Sequence, residues 1–396
     1  MNAKKASTVA DENEEEAYPH PRKNAAIIGH ADAEASLLSA WHSGRMPHAW
    51  LITGTPGLGK ATLAYRLARF VLKQGADAEA AGPGSGLFGD AEPTATDGDK
   101  TSLAIREDAP IFRRVAQASH SDLLSIERLY DDKRKKLKTD ISVDSIRNVG
   151  HFLALTPGEG TWRVVIVDTA DDMNANAANA LLKVLEEPPS NSLIVLTSSM
   201  PGRLLPTLRS RCRRLDLKPV ADSDLVTALD QMAPDASPDE RSAAIALAAG
   251  SPGKALELLE AGGLQVFNDL MAALGAIAQG RPDSTLISKV MAVAAKADND
   301  AALRVFFDTL ETTLHGVCAI ASGVREPTVG TGWGHPLCLP VCERLAAQGS
   351  LDSWLAVWDN LKRARGQLFG LNLDRRQVGL SVLWSIEQAA TQDRVA

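Results

Sequence analysis

Short apolar runs and longer apolar stripes alternate along the first half of the chain. Ala49-Trp50-Leu51-Ile52-Thr53, Asp122-Leu123-Leu124-Ser125-Ile126, Arg163-Val164-Val165-Ile166-Val167-Asp168, Leu193-Ile194-Val195-Leu196 and Leu215-Asp216-Leu217 have the length and composition of buried strands. Between them apolar residues recur at helical spacing. They do so from Ala33 to Trp41, at Leu63, Leu67, Phe70 and Val71, at Val143, Ile146, Val149, Phe152 and Leu153, and at Ala177, Ala178, Leu181, Leu182 and Leu185. Thr156-Pro157-Gly158-Glu159-Gly160 and Pro188-Pro189 close two of these helices. Strands separated by helices predict an α/β domain, a parallel sheet covered on both faces. Its ligands bind at the C-terminal ends of the strands.

The pattern changes after Pro219. From there it is helical throughout, with alanine-rich segments at 241–249 and 271–279 and breaks at Gly250-Ser251-Pro252-Gly253, at Gly262-Gly263 and over 323–336. The chain therefore divides into a disordered acidic tail over 1–23, a sheet domain over 24–218, a small helical lid domain over 219–262 and an all-α domain over 263–396. A Gly-, Ala-, Asp- and Pro-rich stretch over 75–100 interrupts the sheet domain and reads as a flexible insertion. Trp354, Trp358 and Trp384 read as core of the last domain. A chain of 396 residues is long enough for two or three domains.

The first strand runs into Gly54-Thr55-Pro56-Gly57-Leu58-Gly59-Lys60-Ala61-Thr62. This matches the phosphate-binding loop G-x-x-x-x-G-K-[ST] at every fixed position but one. Glycines let successive backbone N–H groups turn toward phosphate oxygens, and the lysine reaches the terminal phosphates. A strand enters the loop and a helix leaves it, so the helix N-terminus faces the bound anion. The hydroxyl position holds Ala61, which cannot coordinate magnesium, and Thr62 is one residue late. ATP is thus a candidate ligand, with its Mg2+ coordination compromised.

Asp168 ends a strand where an aspartate meets magnesium near such a loop; the alternative is a turn or N-cap aspartate. ATPases of this plan follow that aspartate with a glutamate that activates water. Here the next residue is Thr169, a second missing catalytic part. The hydroxyls of Thr197 and Ser198 end the fourth strand, as a γ-phosphate sensor or as turn caps. Asp131-Asp132-Lys133-Arg134-Lys135-Lys136-Leu137-Lys138 is either a patch for DNA phosphates or, the plainer reading, a solvated hairpin or loop.

Ala177 to Pro189, with Leu208-Arg209-Ser210-Arg211-Cys212, resembles the bacterial clamp-loader subunits of the AAA+ family. The Ser210-Arg211-Cys212 triplet is the most specific signal. The resemblance covers 24–260 well and the rest loosely, through Asn372 to Gln377, which also reads as a capping box. It implies an AAA+ P-loop domain, a helical lid and a helical collar that holds a ring of subunits together. The family's motor subunits (γ/τ) carry a complete loop, an Asp-Glu pair and a four-cysteine zinc module. This chain departs at Ala61 and Thr169 and has no cysteine before Cys212, so no zinc is expected. It is more similar to the family's rigid, non-hydrolysing member. By that resemblance Arg211, supported by Ser210 and Cys212, is an arginine finger offered to a neighbour's ATP. A second-sensor arginine expected near 250–256 is replaced by Gly253, with Lys254 beside it. The implied partners are the γ/τ motor subunits and the δ subunit, with the sliding clamp and primer-template DNA reached through the complex.

Charge and cysteine content narrow the picture further. A net charge of −7 argues against general nucleic-acid binding by the whole chain. Cys212, Cys318, Cys338 and Cys342 are unevenly spaced, as expected of free thiols in a cytoplasmic protein. His335, Cys338 and Cys342 lie close in sequence, but a structural zinc needs four ligands, and packing cysteines are the simpler reading. Two other functions share the loop. An active AAA+ ATPase motor is opposed by Ala61 and Thr169; a small-molecule P-loop kinase leaves the helical C-terminal half unexplained.

Overall fold

The structure, a computed structural model, describes residues 20–81, 102–131, 136–138, 140–260, 262–296, 299–327, 332–371 and 373–392. The chain forms two compact units that meet in sequence at Lys218 and Pro219.

The first unit contains α1 (Ala31–His42), β1 (Ala49–Thr53), α2 (Lys60–Ala81), α3 (Pro110–Ala116), β2 (Leu123–Ile126), β3 (Tyr130–Asp131), β4 (Lys136–Leu137), α4 (Val143–Ala154), β5 (Arg163–Val167), α5 (Ala175–Glu186), β6 (Ser192–Ser198), α6 (Pro206–Arg209) and β7 (Arg213–Asp216). Five strands form one sheet in the order β2-β5-β6-β1-β7, and every neighbouring pair is parallel. This is the α/β P-loop sheet that the alternation of apolar runs predicts. Every residue of β1, β5 and β6 is buried, which is why these strands read as unbroken apolar runs. On one face Leu51, Val165, Val167, Ile194 and Leu196 pack against Ile146, Val149, Leu153, Ala177, Leu181 and Leu185 of α4 and α5. Ser142 caps α4 through the Ser145 amide, and Asn174 caps α5 through the Ala177 amide at 2.9 Å. Each cap satisfies a backbone donor that the helix itself leaves unpaired.

Two local expectations need correction, and a third can be placed. The end of the predicted disordered tail is built into the unit: His20 bonds Glu127, Arg22 is buried, and the carbonyls of Arg22 and Asn24 accept from Arg69 at 3.0 and 2.7 Å. Residues 1–19 lie outside the described residues. The predicted insertion also starts too early, because α2 continues through Gly75 to Ala81. A Cβ on Gly75 would stand 3.2 Å from both Thr161 Oγ1 and Trp162 Cδ1, and one on Gly160 would stand 3.0 Å from the Ala76 amide. These glycines permit close approach of α2 to the turn before β5; they do not mark a flexible segment. Residues 82–100 of that insertion lie outside the described residues. In the basic cluster, β3 and β4 pair antiparallel, a hairpin; Lys133, Arg134 and Lys135 lie outside the described residues.

Residues 20–30 lie along α2 and the loop that precedes it. Arg66 donates to Glu34 and to the Ala25 carbonyl, and the Arg69 guanidinium sits 4.5 Å over the Phe112 ring. Burial pulls Arg69 down to about 10.

The second unit is helical: α7 (Asp222–Met232), α8 (Pro238–Ala248), α9 (Pro252–Leu259), α10 (Gly263–Ala278), α11 (Ser284–Ala294), α12 (Asp300–Ala321), α13 (Leu339–Ala346), α14 (Leu351–Leu371) and α15 (Arg375–Gln392). Ser237 and Glu240 form a capping box at α8. Arg304 of α12 bonds Glu257 of α9 at 2.9 Å. Trp354 is fully buried, as expected. Trp384 is 62% exposed, because α15 packs through Val382, Leu383, Ile386 and Ala390 and turns Leu380 and Trp384 outward. Cys338 and Cys342 are buried free thiols, and the Cys342 thiol donates to the Thr313 carbonyl at 3.4 Å. Among the described residues no single helix is long and apolar enough to cross a membrane.

Candidate functional site

The loop between β1 and α2 has the backbone a phosphate cradle needs. Gly57 and Gly59 adopt φ of +78° and +86°, and Gly54 adopts +153°, all in the region that favours glycine. At Gly54 space is limiting as well, since a Cβ would meet the Leu217 carbonyl oxygen and Leu58 Cδ1, each at 3.0 Å. Helix α2 begins at Lys60, so its N-terminal amides and positive dipole end open on the loop. Thr55, Pro56 and Gly57 are exposed, Leu58 is buried, and a His30 ring nitrogen lies 2.7 Å from the Leu58 carbonyl. Ile27 approaches from the same segment, 3.9 Å from where a Gly59 Cβ would be.

Lys60 is buried, and its Nζ donates to the carbonyls of Gly54 and Thr55 at 2.9 and 2.8 Å. Burial lowers its pKa, while Asp168 and Asp171 act in the opposite direction. The ammonium thus lies inside the loop, near the position a terminal phosphate would take. Ala61 offers no oxygen, and Thr62 is buried. The donors suit phosphate oxygens, but the usual protein hydroxyl for a metal is missing.

Asp168 follows β5 and accepts from the Thr197 hydroxyl at 2.5 Å. Burial pushes its carboxyl up, a shift that Thr197 and Lys60 oppose. Thr169 holds only a long contact of 3.4 Å to the same carboxylate oxygen. Ser198 is fully buried, and its hydroxyl goes to Asp171 at 2.6 Å. Asp171 also accepts from the amides of Ser199 and Met200 at 2.6 and 3.1 Å. Glu127, after β2, accepts from Tyr65 and Ser125 and bonds His20. Its burial would raise the carboxyl, but the hydrogen bonds and charge from His20, with bonds from Tyr65 and Ser125, hold it below the ordinary range.

The Ser210-Arg211-Cys212 turn joins α6 to β7. Cys212 is buried in the core with Leu204 and Leu208, and burial pushes its thiol up to about 12. The Ser210 hydroxyl bonds the Thr207 carbonyl at 3.0 Å. Arg211 points outward, with Nη1 on the Thr207 carbonyl at 2.9 Å and Nη2 on Glu186 at 2.7 Å. Its neighbours are used otherwise: Arg213 lies over the Trp50 ring, and Arg214 bonds Asp216.

Strand direction separates these two groups. β7 is parallel to β1, with Arg213 opposite Trp50 and Asp216 opposite Thr53. Gly54 to Thr62 leave the C-terminal end of the sheet, where Asp168 and Ser198 also lie. Arg211 precedes β7, so it stands at the N-terminal end. At about 3.3 Å per residue the two ends are on the order of 15 Å apart along the strand, beyond the reach of one arginine side chain. Arg211 therefore has no access to its own chain's loop. Gly253 and Lys254 fall in the first turn of α9, in the second unit. Thr197, named from the sequence with Ser198, holds Asp168, and two residues that sequence reasoning passed over hold other groups in place: Asp171 and Glu186. Asp171 follows Asp168 closely enough to have been noticed, whereas nothing local links Glu186 to Arg211.

Residues 96–221 match the family model described as DNA polymerase III, delta subunit. The DNA polymerase III subunit delta' of Escherichia coli (strain K12) is 34% identical over 238 residues, 60% of this chain and 62% of the relative. The delta' subunit of Pseudomonas aeruginosa PAO1 is 30% identical over 205 residues, 52% of this chain and 53% of the relative. The tau subunit of Bacillus subtilis (strain 168) is 25% identical over 268 residues, 65% of this chain and 42% of the relative. The chain thus spans between about half and two thirds of the length of the delta' relatives it matches.

Proposed function

We propose that this chain, a relative of the delta' and gamma/tau subunits of DNA polymerase III, is a clamp-loader delta' subunit that lends Arg211 to a neighbouring motor subunit. The observation that carries this reading is the position of Arg211, at the sheet end opposite its own loop and partly open to solvent. A guanidinium placed there serves an ATP held by another subunit. It neutralises charge on the transferring phosphoryl group and ties hydrolysis to assembly. The chain's own loop keeps its glycines and Lys60, which supports static binding of ATP. Ala61 and Thr169 remove the metal hydroxyl and the water-activating carboxylate, which supports little or no turnover. In this reading γ/τ and δ are its partners in the cytoplasm, and the sliding clamp and primer-template DNA are reached through the assembled ring.

The test is reconstitution. A loader assembled from γ/τ, δ and this chain should show clamp- and primed-DNA-stimulated ATP hydrolysis and place the clamp on DNA. The same mixture without this chain should do neither. Equal activity with and without the chain would reject the reading.

A further inference from the structure

The arginine turn carries a feature that the finger reading does not supply: a second residue that sets the direction of the guanidinium. We infer that Glu186 is a positioning residue for Arg211, an inference that rests on the trans-acting role proposed for that arginine. Glu186 is the last residue of α5, which Pro188-Pro189 prevents from continuing. Because α5 runs back from the C-terminal end of β5 toward the start of β6, its last turn arrives at the sheet's N-terminal end. There Glu186 Oε1 lies 2.7 Å from Arg211 Nη2, while the Thr207 carbonyl holds Nη1 at 2.9 Å.

The two anchors grip the two terminal nitrogens from different elements, so the plane of the guanidinium is set by the fold. A free arginine would sample many rotamers and lose that freedom on meeting a phosphate; one held in advance loses less. A guanidinium has five N–H donors in a planar fork, and two contacts leave donors for an incoming anion. Solvent exposure separates positioning from stabilisation. The two side chains keep 34% and 50% of their surface, and ion pairs this exposed add little to stability. Loss of Glu186 should therefore appear in turnover and leave the fold intact.

The experiment uses the reconstituted loader with this chain as wild type, Glu186→Ala, Glu186→Gln, Arg211→Ala and the double variant Glu186→Ala/Arg211→Ala. Clamp- and DNA-stimulated kcat and the KM for ATP are measured, with the Tm of each isolated chain. Glu186→Ala should lower kcat about fivefold, with KM and Tm nearly unchanged, and should add nothing to Arg211→Ala, because the two residues act as one unit. Glu186→Gln, which keeps an acceptor oxygen, should retain more activity than Glu186→Ala. Full activity of Glu186→Ala beside a defective Arg211→Ala would overturn the inference and leave the finger reading standing. Losses that multiply in the double variant would also overturn it. An undiminished Arg211→Ala would remove the finger reading itself.

Discussion

Thr197 donates its hydroxyl to Oδ1 of Asp168 at 2.5 Å, tying the end of β6 to the carboxylate that follows β5. A parallel bond ties Ser198 to Asp171. Both acids at the C-terminal end of the sheet thus accept from the neighbouring strand. In a hydrolytic site of this plan the acid at the Asp168 position acts on the metal. Thr197→Val keeps the side-chain shape but leaves a buried acid without its closest donor. The expected cost is about 1–3 kcal/mol of stability, seen as a lower urea midpoint with an unchanged m-value. An unchanged midpoint would show that the bond does not help to hold the sheet end.

The Glu127 cluster sets an acid limit on the first unit. The folded-state pKa of Glu127 lies below its ordinary 4.5 despite burial, because His20, Tyr65 and Ser125 bond its charged form. A depressed carboxylate pKa contributes stability that is fully present above the unfolded value and is lost as pH falls through the folded one. The stability difference between wild type and Glu127→Gln should therefore be present at pH 6–7 and shrink below about pH 4.5. Denaturant titrations of both proteins across that range measure it, and a constant difference would contradict the assignment.

Gly75 marks a place where close packing requires glycine within a helix. The segment that follows, Ala76 to Ala81, is rich in alanine, a strong helix former, and α2 runs on through it while Gly75 lets the helix meet Thr161 and Trp162. Gly75→Val places methyl groups where no space exists and should cost about 1–3 kcal/mol by overpacking. Gly75→Ala brings a single Cβ to 3.2 Å from two atoms and should cost less. Thermal melts of the two variants give the order; an equal or reversed order would mean that the helix end yields freely.

Much of the first unit was legible because its strands are buried on both faces and flanked by capped helices. A run such as Val164 to Val167 has few alternatives in water, and Ser142 and Asn174 announce their helices. The loop was legible for a related reason, since glycine at 57 and 59 is required by the backbone itself. What local pattern could not show is which side chains meet across the fold. His20 and Arg22 look like the end of a polar tail until Glu127 and Arg69 stand against them. Trp384 looks like core because tryptophan usually is, but α15 buries its other face. Glu186 and Arg211 lie far apart in sequence and are joined only because α5 and the turn before β7 end at the same edge of the sheet.

The division of labour between the two ends of the sheet is tested most directly by the clamp- and primed-DNA-stimulated ATPase rate of a reconstituted loader carrying this chain as Arg211→Ala or as Lys60→Ala. Arg211→Ala should lower the rate by roughly tenfold or more, in line with the large effect of fingers supplied in trans, while Lys60→Ala should leave it close to wild type. An undiminished rate with Arg211→Ala, or a rate abolished by Lys60→Ala, would contradict the account.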